Sequence, residues 1–97
     1  MKEEKKIIIN NKEIKLNENL LKDIKDLKYI NTKYCNNFKG MFSGCKSLID
    51  IKPLEKWNVS NCNNFSGMFR GCSSLTDIKP LEKWNVSNKK YFVDMLK

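Results

Sequence analysis

The sequence predicts an α/β solenoid, a short stack of repeated units, and three observations carry that expectation. The first is a 27-residue unit written twice, CNNFKGMFSGCKSLIDIKPLEKWNVSN from Cys35 and CNNFSGMFRGCSSLTDIKPLEKWNVSN from Cys62. A period of this length marks units whose apolar faces cover one another. The second is that only four positions differ, Lys39/Ser66, Ser43/Arg70, Lys46/Ser73 and Ile49/Thr76, which belong on an outer surface where packing makes no demand. The third is an apolar set kept in both copies. Phe38, Met41, Phe42, Cys45, Leu48, Ile51, Leu54, Trp57 and Val59 recur as Phe65, Met68, Phe69, Cys72, Leu75, Ile78, Leu81, Trp84 and Val86. Identical side chains at one period are expected to form a ladder through a shared core.

Residues 1–16 read MKEEKKIIINNKEIKL. Three isoleucines, two asparagines and then alternating Ile14 and Leu16 predict a β-hairpin with a short polar turn. Its expected place is over the open end of the first unit, and a disordered basic tail is the competing reading. Residues 17–34 read as a degenerate first repeat. Leu21, Ile24, Leu27 and Ile30 lie one period before Leu48, Ile51, Leu54 and Trp57, and Asp23, Lys25 and Asn31 match Asp50, Lys52 and Asn58.

Residues 35–61 and 62–88 are the two full units. The spacing of Phe38, Met41, Phe42 and Cys45 predicts one face of a short helix. Ser60 and Asn61 are candidate N-caps for its second copy, and Gly44 and Gly71 are placed for left-handed C-terminal conformations. Leu48, Ile51, Leu54 and Trp57 then recur every third residue. That pattern is read as a short strand over about 48–52 followed by a tight arc, with Pro53 and Pro80 ending the strand pairing. In residues 89–97, Phe92, Met95 and Leu96 continue the register of Phe65, Met68 and Phe69. This segment is a C-terminal capping helix or a truncated repeat, the whole forming one domain.

The blocks GMF, GCKSLIDI, GCSSLTDI and WNVSN resemble the BspA-type leucine-rich repeats of bacterial, protozoal and viral proteins. The nearest form is a mycoplasma-type repeat domain of unknown function, and the likeness covers residues 23–88. The resemblance implies a curved leucine-rich-repeat solenoid, with a small parallel sheet on one face and short helices on the other. It also implies a surface-adhesin or recognition role and carries no catalytic motif. Cys62 stands where that family commonly has a small apolar residue.

A net charge of +8 invites a nucleic-acid reading, which the distribution weakens. Residues 1–34 hold nine lysines against six acids, and residues 35–88 hold six lysines and Arg70 against four acids. Arginine, the preferred bidentate partner of phosphate and guanine, occurs once. A solvated lysine surface is the expectation, and nucleic acid is not the expected partner. Cys35, Cys45, Cys62 and Cys72 are separated by ten and seventeen residues, unlike the tight pairs of zinc sites. Buried thiols are expected, with disulfides between stacked neighbours such as Cys45 and Cys72 as the alternative and no metal site.

The absence of histidine removes histidine acid–base chemistry and histidine metal ligation. The glycines match no phosphate loop, so no enzyme activity and no cofactor are expected. Trp57 and Trp84 are read as core rather than interface anchors, and NVSN at Asn58 and Asn85 as turn chemistry rather than a glycosylation site. No apolar run after Met1 resembles a secretory signal, and none approaches the ~20 residues of a membrane span. A cytoplasmic location is expected, or the cell surface if the chain is part of a longer protein. The function expected is protein–protein recognition through the exposed sheet face, Ile49, Asp50 and Lys52 beside Thr76, Asp77 and Lys79, with Asp23 and Lys25 extending the row. The alternative is a structural unit that self-associates end to end.

Overall fold

Two consecutive asparagines set the first element. Asn10 and Asn11 both adopt left-handed backbone, at φ 55° and 61°, the conformation that a two-residue hairpin turn requires and asparagine tolerates. They join β1 (Glu4–Ile9) to β2 (Lys12–Asn17) in antiparallel register, Ile7 opposite Ile14 and Lys5 opposite Leu16. Strand alternation buries Ile7, Ile9 and Leu16 and turns Ile8 to solvent. The predicted hairpin is therefore present. It is tied to the first copy by Lys5 Nζ, which donates to the Ser43 carbonyl at 3.3 Å, and to the segment preceding that copy by Asn10 Nδ2, which donates to the Asn31 carbonyl at 2.7 Å. This computed structural model describes residues 4–17, 24–84 and 94–96. The expectations for Leu21, Asp23, Asn85, Val86 and Phe92 lie outside the described residues.

The rest of the chain is built from tight turns. Three 3-10 helices recur near the sequence period, η1 (Lys25–Leu27), η2 (Lys52–Leu54) and η3 (Lys79–Lys83), burying Leu27, Leu54 and Leu81. Pro53 and Pro80 sit in the first turn, where a missing N–H costs nothing. Asp50 Oδ1 accepts from the Lys52 amide at 2.8 Å, and Asp77 Oδ1 from the Lys79 amide at 2.9 Å. Apart from Leu48 and Ile51, the apolar residues of the first copy spaced by three are the two ends of i→i+3 turns. Met41 donates to the Phe38 carbonyl, Cys45 to Phe42, Leu48 to Cys45, Leu54 to Ile51 and Trp57 to Leu54. Each such turn returns the chain to the same side, so both of its ends reach the core.

The copies are joined by a backbone ladder running through the turn segments. The amides of Phe38, Gly40, Phe42 and Gly44 donate to the carbonyls of Asn64, Ser66, Met68 and Arg70, at 2.6–2.9 Å. The alternate amides, Met41, Ser43 and Cys45, bond locally. Gly40 and Gly44 take φ 62° and 76° and make this alternation possible, since a side chain there would be strained. The rings of Phe42 and Phe69 stack at 5.7 Å and 10°, and Phe38 lies 6.0 Å from Phe65. Trp57 Nε1 donates to the Leu27 carbonyl at 2.9 Å, and Trp84 Nε1 to the Leu54 carbonyl at 2.7 Å. Each indole thus reaches back one period and satisfies its N–H inside the core. Thr32, a buried polar residue that the sequence did not single out, does the reverse, its hydroxyl donating to the Asn58 carbonyl at 2.9 Å.

This corrects the expected architecture. The α/β solenoid, a leucine-rich-repeat stack with a parallel sheet on one face and helices on the other, is not formed. Among the described residues the one sheet is the two-stranded antiparallel hairpin, and parallel pairing is confined to a single bridge, Asn37 with Asn64. Residues 48–52 make no strand, and amides at both ends of the stretch are bonded locally. The Lys52 amide goes to Asp50, the Leu48 amide to Cys45, and Pro53 has no amide. Residues 38–45 make no regular helix because left-handed glycines interrupt it. The descriptions leucine-rich repeat, solenoid and repeat protein fall with the parallel sheet, and the duplication remains a property of the sequence. Among the described residues the molecule is a small domain built from the hairpin and a succession of tight and 3-10 turns.

The ladder residues are buried, with two exceptions. Phe38, Met41, Phe42, Cys45, Leu48, Ile51, Leu54 and Trp57, and in the second copy Phe65, Met68, Phe69, Cys72, Leu81 and Trp84, all lie in the core. Leu75 is half-buried, and Ile78 is 37 % exposed where its counterpart Ile51 is 1 %. Both exceptions belong to the copy farther from the hairpin.

Candidate functional site

Ile49, Asp50, Lys52, Thr76, Asp77 and Lys79, the surface residues singled out from the sequence, are all exposed, and among the described residues no sheet carries them. Asp50 and Lys52 line an open groove of about 430 Å³, together with Lys28, Pro53, Glu55 and Lys56. Ile49, Thr76, Asp77 and Lys79 are outside its lining.

The groove is made where two turns meet. Lys28 follows η1, and Lys52, Pro53, Glu55 and Lys56 belong to or follow η2. The buried Leu27 and Leu54 anchor the two turns side by side, and the Trp57 indole bonded to the Leu27 carbonyl fixes their separation. Asp50 is oriented by its bond to the Lys52 amide. Three lysines face two carboxylates, and among the described residues Lys28, Lys52 and Lys56 enter no ion pair. Lys28 Nζ instead sits 5.5 Å from the ring centroid of exposed Tyr29. The sequence did not flag Lys28, Glu55 or Lys56. The available signal was the shared position of Lys28 and Glu55 one period apart, which sets opposite charges at equivalent places on neighbouring turns.

The tryptophans lie in the core, as read from the sequence, with exposures of 5 % and 3 %. At NVSN the Asn58 carboxamide oxygen accepts from the Ser60 amide at 3.0 Å and from its hydroxyl at 2.6 Å, which is turn chemistry. Asn31, Asn37 and Asn64 hold amides two residues on in the same way. The four cysteines are thiols, Cys45, Cys62 and Cys72 buried and Cys35 half-buried. Burial pushes the Cys62 thiol above its ordinary value of 9.0; nearby backbone amides of Asn64 and Phe38 offset part of the rise, and Cys35 adds to it. Among the described residues no three histidine, cysteine or acidic side chains cluster as a metal site would need.

No curated protein and no solved structure matches this chain. A family model does match, over residues 11–97, from β2 through both copies of the repeated sequence. The chain belongs to that family, described as a Mycoplasma protein of unknown function, DUF285.

Proposed function

We propose that this chain is a non-enzymatic binding module that takes a segment of a partner protein into the groove between η1 and η2. The carrying observation is the convergence of Lys28, Lys52 and Lys56 with Asp50 and Glu55 around one open cavity, the lysines making no ion pair among the described residues. A wall already ordered by the Asp50–Lys52 turn and the buried leucines lowers the ordering cost of binding. Pro53 and the lysine stems add apolar contact around the charged heads. The three lysines favour a partner segment carrying carboxylates. The likeness to BspA-type repeats belongs to this reading as sequence kinship, and it supports a recognition role.

The test compares three tagged forms of the chain in capture from a native lysate of the source. These are the wild type, a groove variant (Lys28→Glu with Lys52→Glu) and an off-groove variant (Lys39→Glu with Arg70→Glu). A protein retained by the first and third and lost from the second supports the assignment. Equal retention by all three refutes it.

Self-association is the second reading, favoured by the exposure of Ile78 and Leu75 where the identical Ile51 and Leu48 are covered. Sedimentation would then give a dimer or higher species that Ile78→Lys dissociates. A monomer at all concentrations would exclude it.

A further inference from the structure

Cys35 and Cys62 open the two copies of the CNNF segment, and the backbone lays these segments side by side. The Asn63 amide donates to the Asn36 carbonyl at 3.0 Å and the Phe38 amide to the Asn64 carbonyl at 2.8 Å. Asn37 pairs with Asn64 as a parallel bridge. Two positions before that bridge, the register sets Cys35 opposite Cys62. Paired chains run about 4.8 Å apart, inside the roughly 4.4–6.8 Å between Cα atoms that a disulfide spans. Cys35 packs against the core cluster that contains Cys62, yet keeps part of its surface in solvent. Its Sγ lies 3.8 Å from Asn10 Oδ1 at the tip of the hairpin. Cys62 is 8 % exposed, and the contribution of Cys35 to the upward shift of the Cys62 thiol agrees with their proximity.

We propose that Cys35 and Cys62 are an adjacent dithiol that exchanges with low-molecular-weight disulfides, Cys35 being the point of attack and Cys62 the resolving thiol. The Cys35 thiolate attacks one sulfur of the reagent, forming a mixed disulfide and expelling one thiolate, which takes up a proton. Cys62, its proton passed to solvent, attacks Cys35 Sγ and expels the second thiolate. The two cysteines together lose two electrons and two protons, and the reagent is reduced to two thiols. The product joins the two copies of the repeated sequence beside the hairpin turn. Cys45 and Cys72 are both buried, the Cys72 thiol donating to the Phe42 carbonyl at 3.1 Å. Neither offers a reagent the entry that Cys35 does. Access and thiolate character together select the reacting thiol.

The experiment treats the folded full chain with oxidised glutathione, quenches with acid and maps the cysteines by peptide mass spectrometry. The expected product has lost two hydrogens and yields a Cys35–Cys62 cross-linked peptide, with Cys45 and Cys72 unmodified. Cys62→Ala is expected to accumulate one glutathione on Cys35, and formation of the cross-link in the wild type is expected to accelerate with rising pH. A lasting adduct on wild-type Cys35 without a cross-link overturns the proposal. So does a cross-link through another cysteine, or no reaction. If Cys62→Ala fails to fold, the wild-type map decides alone.

Discussion

Ile51 and Ile78 are the same residue in the same local sequence, each leading into a Lys-Pro-Leu turn, yet one is 1 % exposed and the other 37 %. Changing isoleucine to alanine removes three carbon groups, about 2.4 kcal/mol of transfer free energy at ~0.8 kcal/mol each. At Ile51 the site is closed on all sides, so a residual cavity adds to this, and the loss is expected at about 3–4 kcal/mol. At Ile78 about three-fifths of the side chain is covered, which scales the transfer contribution to ~1.5 kcal/mol. No closed cavity forms there, because solvent enters from the open side. The two substitutions should therefore differ by roughly a factor of two or more in cost. Urea unfolding followed by the fluorescence of the buried Trp57 and Trp84 measures both, with the slope m checked for constancy. Losses equal to within about half a kcal/mol would show Ile78 as closed to solvent as Ile51. That result would refute the reasoning from exposure, and a concentration-dependent midpoint would identify a second molecule as the cover.

Three further outcomes follow from the same contacts. Trp84→Phe keeps an aromatic ring but removes the 2.7 Å indole bond to the Leu54 carbonyl, which keeps the Trp57 amide as a donor; a loss of about 0.5–1.5 kcal/mol is expected in urea unfolding, and a neutral result would show that the indole bond contributes nothing. Gly44→Ala places a side chain at φ 76° with nothing within 4 Å of its Cβ, so the loss should be backbone strain alone, about 1–2 kcal/mol, and Gly44→Asn should lose less. Burial favours the protonated Cys62 thiol in the folded state, raising it above 9.0. The stability this contributes is complete below the ordinary thiol range and is lost as pH rises through the shifted value. Under reducing conditions the urea midpoint should fall in that alkaline window more steeply for the wild type than for Cys62→Ala, and equal slopes would contradict the assignment.

The hairpin was legible because two independent signals agreed, alternation around Ile7 and Ile9 and a pair of asparagines suited to left-handed backbone. The buried ladder was legible for a similar reason, since apolar identity at a fixed period leaves little choice of what packs together. Its backbone was misread. Leu48, Ile51, Leu54 and Trp57 are spaced by three, which is the period of a 3-10 turn, and Ile51, Leu54 and Trp57 are linked by the i→i+3 bonds of such turns. A strand at 48–52 required amide partners on a neighbouring chain. Asp50 and Cys45 supplied them within the same copy, and a local bond closes without the loop entropy of a distant one. The groove was half legible. Asp50 and Lys52 stand out as exposed repeating charges, but Lys28 matches a glutamate one period on, and Glu55 and Lys56, which recur as Glu82 and Lys83, carry no sign in the sequence that they face it. Two copies of one sequence share their turns, because turns are closed by neighbours in the chain. They do not share their burial at every position, since Leu48 and Ile51 are closed to solvent while Leu75 is half-buried and Ile78 exposed. What makes one unit differ from the other is its neighbours, and on this surface those same differences build the groove and bring one thiol of a pair to solvent.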